Sequence, residues 1–183
     1  AFELYPYLLA AALRGVKVIL VGSGTRDPED PGWHLKPINR ELNPDLKDKL
    51  VNPLPVNLRS NIAVYRIEHC TVHAKLTLVD DAFANIGSAN IFSRSMVGTD
   101  SELSAAVSTT TSLVRDLRVE VWGEHLRAPM KATVRSALED LDVALGIWRP
   151  DWLPAGVAPS TWLAAGSPEG FAPNERVLAL VGP

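Results

Sequence analysis

The spacing of apolar and polar positions changes several times along these 183 residues, and each change predicts an element. Leu4 to Leu13 has helical composition, and Gly15 is placed to end that helix. Val16 to Val21 is a near-continuous apolar run, as a buried strand requires. Residues 22–60 break the pattern with six prolines, glycines at 22, 24 and 32, and mixed charges. They predict a long loop with at most one short helix, around Asp45 to Val51. Loops of that length in a compact domain often serve as functional rims or lids.

Strand-like composition returns at Ile62 to Ile67 and again from Thr71 to Val79. Alternation in the second run places His73 and Lys75 together on one face and turns Val72, Ala74, Leu76 and Leu78 toward a core. Beyond Asp80 and Asp81, Ala84 to Gly87 is positioned to pair back as a hairpin, and Glu102 to Val107 predicts a further strand. Thr109 to Ser112 offers N-cap candidates for a helix whose apolar stripe is Leu113, Leu117, Val121 and Leu126. A second helix is expected from about Lys131 to Leu145. From Gly146 onward, six prolines and three tryptophans describe a covering tail. The expected organisation is one domain, 1–146, with a Pro/Trp-rich tail, 147–183, packed on it. There is no internal repeat and no low-complexity tract.

Composition narrows the function classes. With 46% hydrophobic residues, the chain can bury a core. A net charge of −3 and a pI near 5.8 disfavour a nonspecific nucleic-acid binder, which usually presents a basic face to phosphates. Cys70 is alone and cannot form an internal disulfide. No apolar run approaches the roughly 20 residues of a membrane span, so any membrane contact is expected to be peripheral. His34, His69 and His125 share no metal-ligand spacing with one another or with Cys70. Gly22, Ser23 and Gly24 follow a strand, but no Walker lysine follows them, so they read as loop. Trp148, Trp152 and Trp162 suit a tail covering apolar surface better than a lipid-facing rim.

Chemistry concentrates in one stretch, HAKLTLVDDAFANIGSAN, which places His73, Lys75, Asp80, Gly87, Ser88 and Asn90 at fixed intervals. An imidazole, an ammonium and two polar hydrogen-bonding groups converge there on a phosphate-sized space. His73 and Lys75 stand roughly 7 Å apart along a strand face, within reach of one phosphate. Gly87 lets the backbone approach closely. Strand parity turns Asp80 away from His73, which favours a turn or ion-pair role for it.

The pattern H-x-K-x4-D-x6-G-S-x-N resembles the signature of the phospholipase D superfamily, the HKD motif. Downstream, IFSRSMVGTDSELSAAV resembles the segment that follows the motif in lipid-acting members, and LRVEVWGEHLR their next helix. The resemblance covers about Leu4 to Arg127. It implies an α/β fold with a mixed sheet flanked by helices, one half of a bilobed architecture. It also implies a two-step phosphodiester reaction through phosphohistidine, with no metal or other cofactor. His73 would be nucleophile or general acid, Lys75 would stabilise phosphoryl oxygens, and Glu102 would orient the histidine, with Asp100 as the alternative acid. Ser88 and Asn90 would bind the substrate phosphate, while Asp80 and Gly87 would be structural. Arg94 and Ser95 either border the phosphate or serve structure.

Members usually carry two motifs, and this chain has one. A partner half is therefore expected, either the N-terminal portion of the same enzyme or a second copy of the chain. Phospholipid at a membrane surface is the expected substrate, hydrolysed to phosphatidic acid or transferred to an alcohol, with no nucleic-acid partner. The rival expectations are a cardiolipin- or phosphatidylserine-synthase-like transferase, a homodimeric endonuclease, and a degenerate half that only binds or regulates.

Overall fold

The computed structural model describes residues 4–23, 47–67, 72–90, 93–98, 100–125, 132–152 and 171–173. The fold is α/β, as expected, and the chain gathers into two compact units. One comprises Glu3–Val72 with Gly170–Pro183, and the other His73–Glu169 with the first two residues.

In the first unit, α1 (Tyr5–Leu13) carries a proline in its opening turn and closes at Gly15, whose φ is +90°. The Gly15 and Val16 N–H groups donate back to Ala12 and Ala11 carbonyls, satisfying orphan acceptors at the helix end. Asn61 completes this cap. Its side-chain amide donates to the Ala12 carbonyl, while its oxygen accepts from Lys17 Nζ at 2.7 Å. Strand β1 (Val18–Ser23) runs parallel to β2 (Ile62–Ile67), with Val18 opposite Ile62, and β6 (Phe171–Pro173) pairs antiparallel to β2. This is the expected mixed sheet. A π-helical turn, Lys47–Val51, supplies Leu50 and Val51, and the link from it to a 3₁₀ turn, Val56–Asn61, supplies Leu54, to a core with Ala12, Val18, Ile62 and Val64. Most of the expected loop, residues 24–46, lies outside the described residues, as do His34, His69 and Cys70.

The second unit contains a three-stranded antiparallel meander of β3 (Leu76–Val79), β4 (Phe83–Gly87) and β5 (Ser104–Ser108). The short helix α2 (Ser93–Val97) lies between β4 and β5 in sequence. After β5 come α3 (Leu113–His125), α4 (Ala132–Glu139) and α5 (Leu141–Trp148), then a 3₁₀ turn at Pro150–Trp152. Val119, Val134, Leu138 and Ala144 form the helical core, with Trp122 against it.

Three expectations are corrected here. The strand expected from Thr71 begins at Leu76, because β4 offers no partner beyond Gly87; His73 and Ala74 are both exposed, so the alternation stops short of the histidine. The face of α3 is offset by one position: Val114, Arg118, Val119 and Gly123 are buried, whereas Leu113 is 58% exposed. An apolar stripe cannot anticipate a buried arginine. The single helix expected from Lys131 to Leu145 is broken at Asp140, whose side chain accepts from the Asp142 and Val143 N–H groups at 3.1 and 3.2 Å. An aspartate that can cap competes with helix continuation.

Trp148 and Trp152 are buried, and Trp148 meets the Trp122 ring edge-on at 5.2 Å. The start of the tail therefore packs inward, while Trp162 lies outside the described residues. No described helix is long and apolar enough to cross a membrane.

Candidate active site

The β3–β4 hairpin turns at Asp80 and Asp81, both in the left-handed region with φ of 50° and 56°. The Ala82 N–H donates to the Val79 carbonyl at 3.0 Å, and consecutive positive φ values are what a type I′ connection requires. Aspartate tolerates this conformation better than most residues. Asp80 thus stands in the turn, exposed to solvent.

Asp81 has a further role that sequence reasoning missed. Its carboxylate takes a bidentate pair from Arg118 Nε and Nη2, at 2.5 and 2.9 Å. The guanidinium is 3% exposed, donates also to the Leu138 carbonyl at 2.7 Å, and lies 4.7 Å from the centre of the Trp122 ring. One buried cation therefore fixes the hairpin turn to α3 and to the end of α4. The available signal was weak, an arginine interrupting an apolar helix face.

The other end of the hairpin carries the motif residues. The Gly87 N–H donates to the Lys75 carbonyl at 3.1 Å, which sets the lysine beside the glycine-serine pair. Lys75 Nζ donates to the His73 backbone carbonyl at 2.6 Å. Beyond Gly87, the Ser88 N–H donates to the Leu103 carbonyl at 3.0 Å, and the Leu103 N–H donates to Ser88 Oγ at 3.0 Å. This exchange draws the residue after Glu102 against the end of β4.

Gly87 is required for that approach. A Cβ there would lie 2.8 Å from both the Leu103 carbonyl oxygen and Ser104 Cβ, with Ser104 Oγ nearer still. Backbone cannot yield to such contact cheaply. Gly87→Ala is expected to cost about 1–3 kcal/mol through displacement of β5, read as a lower urea midpoint. A wild-type midpoint would show that the strands separate freely.

Ser88 Oγ donates its proton to Glu102 Oε2 at 2.5 Å. With one proton to give, the hydroxyl in this state serves the carboxylate. The Glu102 carboxyl is held below its usual value, first by the Ser88 hydrogen bond, then by one from Ser95, with the Lys75 charge adding to the effect. Partial desolvation and Asp100 oppose this. Glu102 is thus a carboxylate at neutral pH, gathered with Lys75, Ser88 and Ser95 at one end of the hairpin. Asn90 is exposed just beyond Ser88, and Arg94 lies in α2. No cluster of three or more His, Cys, Asp or Glu side chains able to hold a metal ion occurs among the described residues.

The hairpin thus sets a lysine beside a Gly-Ser pair and a serine-bound glutamate, preceded by an exposed histidine. The family model described as "Cardiolipin synthase, PLD-like domain" matches residues 2–122, and the chain belongs to this PLD-like branch of the phospholipase D superfamily. Phospholipase D B of Dictyostelium discoideum is 34% identical over 99 aligned residues, covering 45% of this chain. The alignment spans 8% of that protein's length. No solved structure matches the chain.

Proposed function

We propose that this chain provides one motif-bearing half of a phospholipase D-type site acting on phospholipid phosphodiesters. The observation that carries the reading is the ionised Glu102, held by Ser88 and Ser95 within the field of Lys75, beside the segment that begins at His73. In the forward step an imidazole nitrogen attacks phosphorus, and the P–O bond to the leaving alcohol breaks. The alcohol takes a proton from a second histidine on the opposite side. Water, or another alcohol, then displaces the phosphohistidine with proton transfer reversed. His73 supplies one of these two imidazoles. Lys75 balances charge on the phosphoryl oxygens, exchanging its bond to the His73 carbonyl for the substrate. Glu102 stabilises the cationic form of the histidine, and Asn90 donates to the phosphate.

One histidine cannot stand on both sides of phosphorus. The site therefore needs a second motif-bearing half, from the N-terminal portion of the same enzyme or from a second copy. Transfer between lipids, as the name cardiolipin synthase implies for the matched family, differs from hydrolysis only in the acceptor that meets the intermediate.

With the second motif-bearing half present, the test measures head-group release from phosphatidylcholine and phosphatidylglycerol vesicles, with and without added glycerol, alongside cleavage of linear DNA over a salt series. Lipid turnover, with a transfer product when glycerol is present, is expected. Cleavage of DNA without lipid turnover, weakening steeply with salt as phosphate contacts dictate, would replace this reading with a nuclease.

A further inference from the structure

Register in the meander puts three residues in one row across its strands, and the motif accounts for only two of them. Gly87 lies opposite Ser104 on β5, and on its other side the Gly87 N–H donates to the Lys75 carbonyl at 3.1 Å, one step beyond the Leu76–Ile86 pair. Directly opposed residues project from the same face of a sheet. Lys75 and Ser104 therefore flank Gly87 on one face, their backbones about 10 Å apart across two strand spacings. Gly87 puts no side chain into that interval. Ser104 leans into it from the β5 side, because its Oγ is the atom nearest to the place a Gly87 Cβ would take. Ser104 is exposed, and Lys75 is half-buried. The neighbouring hydroxyl is already committed: Ser88 Oγ donates to Glu102 Oε2 at 2.5 Å and accepts from the Leu103 N–H at 3.0 Å.

We infer that Ser104 is a phosphate-binding residue of this site, donating its hydroxyl proton to a nonbridging phosphoryl oxygen that lies over Gly87 and meets Lys75 from the other side. The inference rests on the proposed phosphodiester chemistry for its substrate and adds to it the group that aims the phosphate. A phosphodiester spreads one negative charge over two nonbridging oxygens. The lysine supplies a mobile point charge to one, and the strand-held serine supplies a directed donor to the other. Charge on these oxygens grows as the imidazole attacks, so the bond from Ser104 strengthens toward the transition state. The bare Gly87 then serves twice. It lets β5 approach, and it leaves the space that the phosphate fills.

Two measurements test this, both with the second motif-bearing half present, on Ser104→Ala, Ser104→Thr and Ser104→Val. Thr and Val differ by one hydroxyl at nearly equal shape and both suit a strand, so their comparison holds even if Ala disturbs β5. The first measurement titrates inorganic phosphate while following the Gly87 and Ser104 amide signals by NMR. Both signals should move in wild type and in the Thr variant, with binding about tenfold weaker in Ala and Val. The second is turnover of phosphatidylcholine vesicles, where kcat/KM should fall about tenfold or more in Ala and Val and stay near wild type in Thr. Equal phosphate binding and turnover in folded Thr and Val variants would overturn the inference, as would wild-type amide signals that ignore phosphate. A wild-type protein that binds phosphate through Ser104 but leaves phosphodiesters intact would instead reject the phosphodiesterase reading and keep the phosphate site.

Discussion

His73→Ala and Lys75→Ala should each lower phosphodiester turnover by about a thousandfold or more while leaving the fold intact. The kinetic loss follows from the assigned roles, since removal of a nucleophile or general acid, or of the charge facing the phosphoryl oxygens, raises the barrier for the chemical step. Little structural penalty is expected. His73 is exposed and precedes β3, and Lys75 gives up one bond to a backbone carbonyl. Circular dichroism and urea midpoints would confirm folding, and turnover would be measured with the partner half present. A folded His73→Ala protein with near wild-type turnover would remove this histidine from the chemistry.

The largest effect on stability is expected away from the reacting groups. Among the described residues, Asp81→Ala leaves Arg118 buried with only the Leu138 carbonyl and the Trp122 ring to face its charge. Removing one partner of a buried ion pair typically costs about 3–5 kcal/mol, through the uncompensated charge left behind. Asp81 is 19% exposed, so water reaches part of the pair and the lower end of that range applies. Urea denaturation of Asp81→Ala, Arg118→Met and the double variant forms a cycle that isolates the coupling. The double variant should recover most of the loss, because an apolar pair carries no buried charge. Additive losses in the double variant would show that the two side chains act independently.

Legibility in the sequence divides along physical lines. Strand β2 lies where its strand-like composition placed it, at Ile62–Ile67, and its buried Ile62, Ala63, Val64 and Tyr65 needed no information from elsewhere. The end of α1 was similarly local, marked by Gly15 and its positive φ. The limits of β3 were not local: a strand ends where its partner ends, and β4 stops at Gly87. Nor was the buried face of α3, where the Arg118 position depends on Asp81 from a distant hairpin. At the site, the residue types and spacing marked Lys75, Gly87, Ser88 and Glu102. The direction of the Ser88 hydroxyl toward Glu102 emerged only from three-dimensional placement.

The β3–β4 hairpin also gives the motif's intervals a mechanical meaning. Its turn is short, its two central residues are committed to left-handed backbone, and its last rung joins the Lys75 carbonyl to the Gly87 N–H. One residue inserted at Asp80 or Asp81 would reverse which face each later residue of β4 presents. A residue bearing a side chain would then meet Ser104 where the bare Gly87 now sits. Ser88 would no longer face Glu102, although every named residue was still in the chain. Contour length is therefore part of the site, and a variant that keeps every motif letter but changes the count between them would not assemble it.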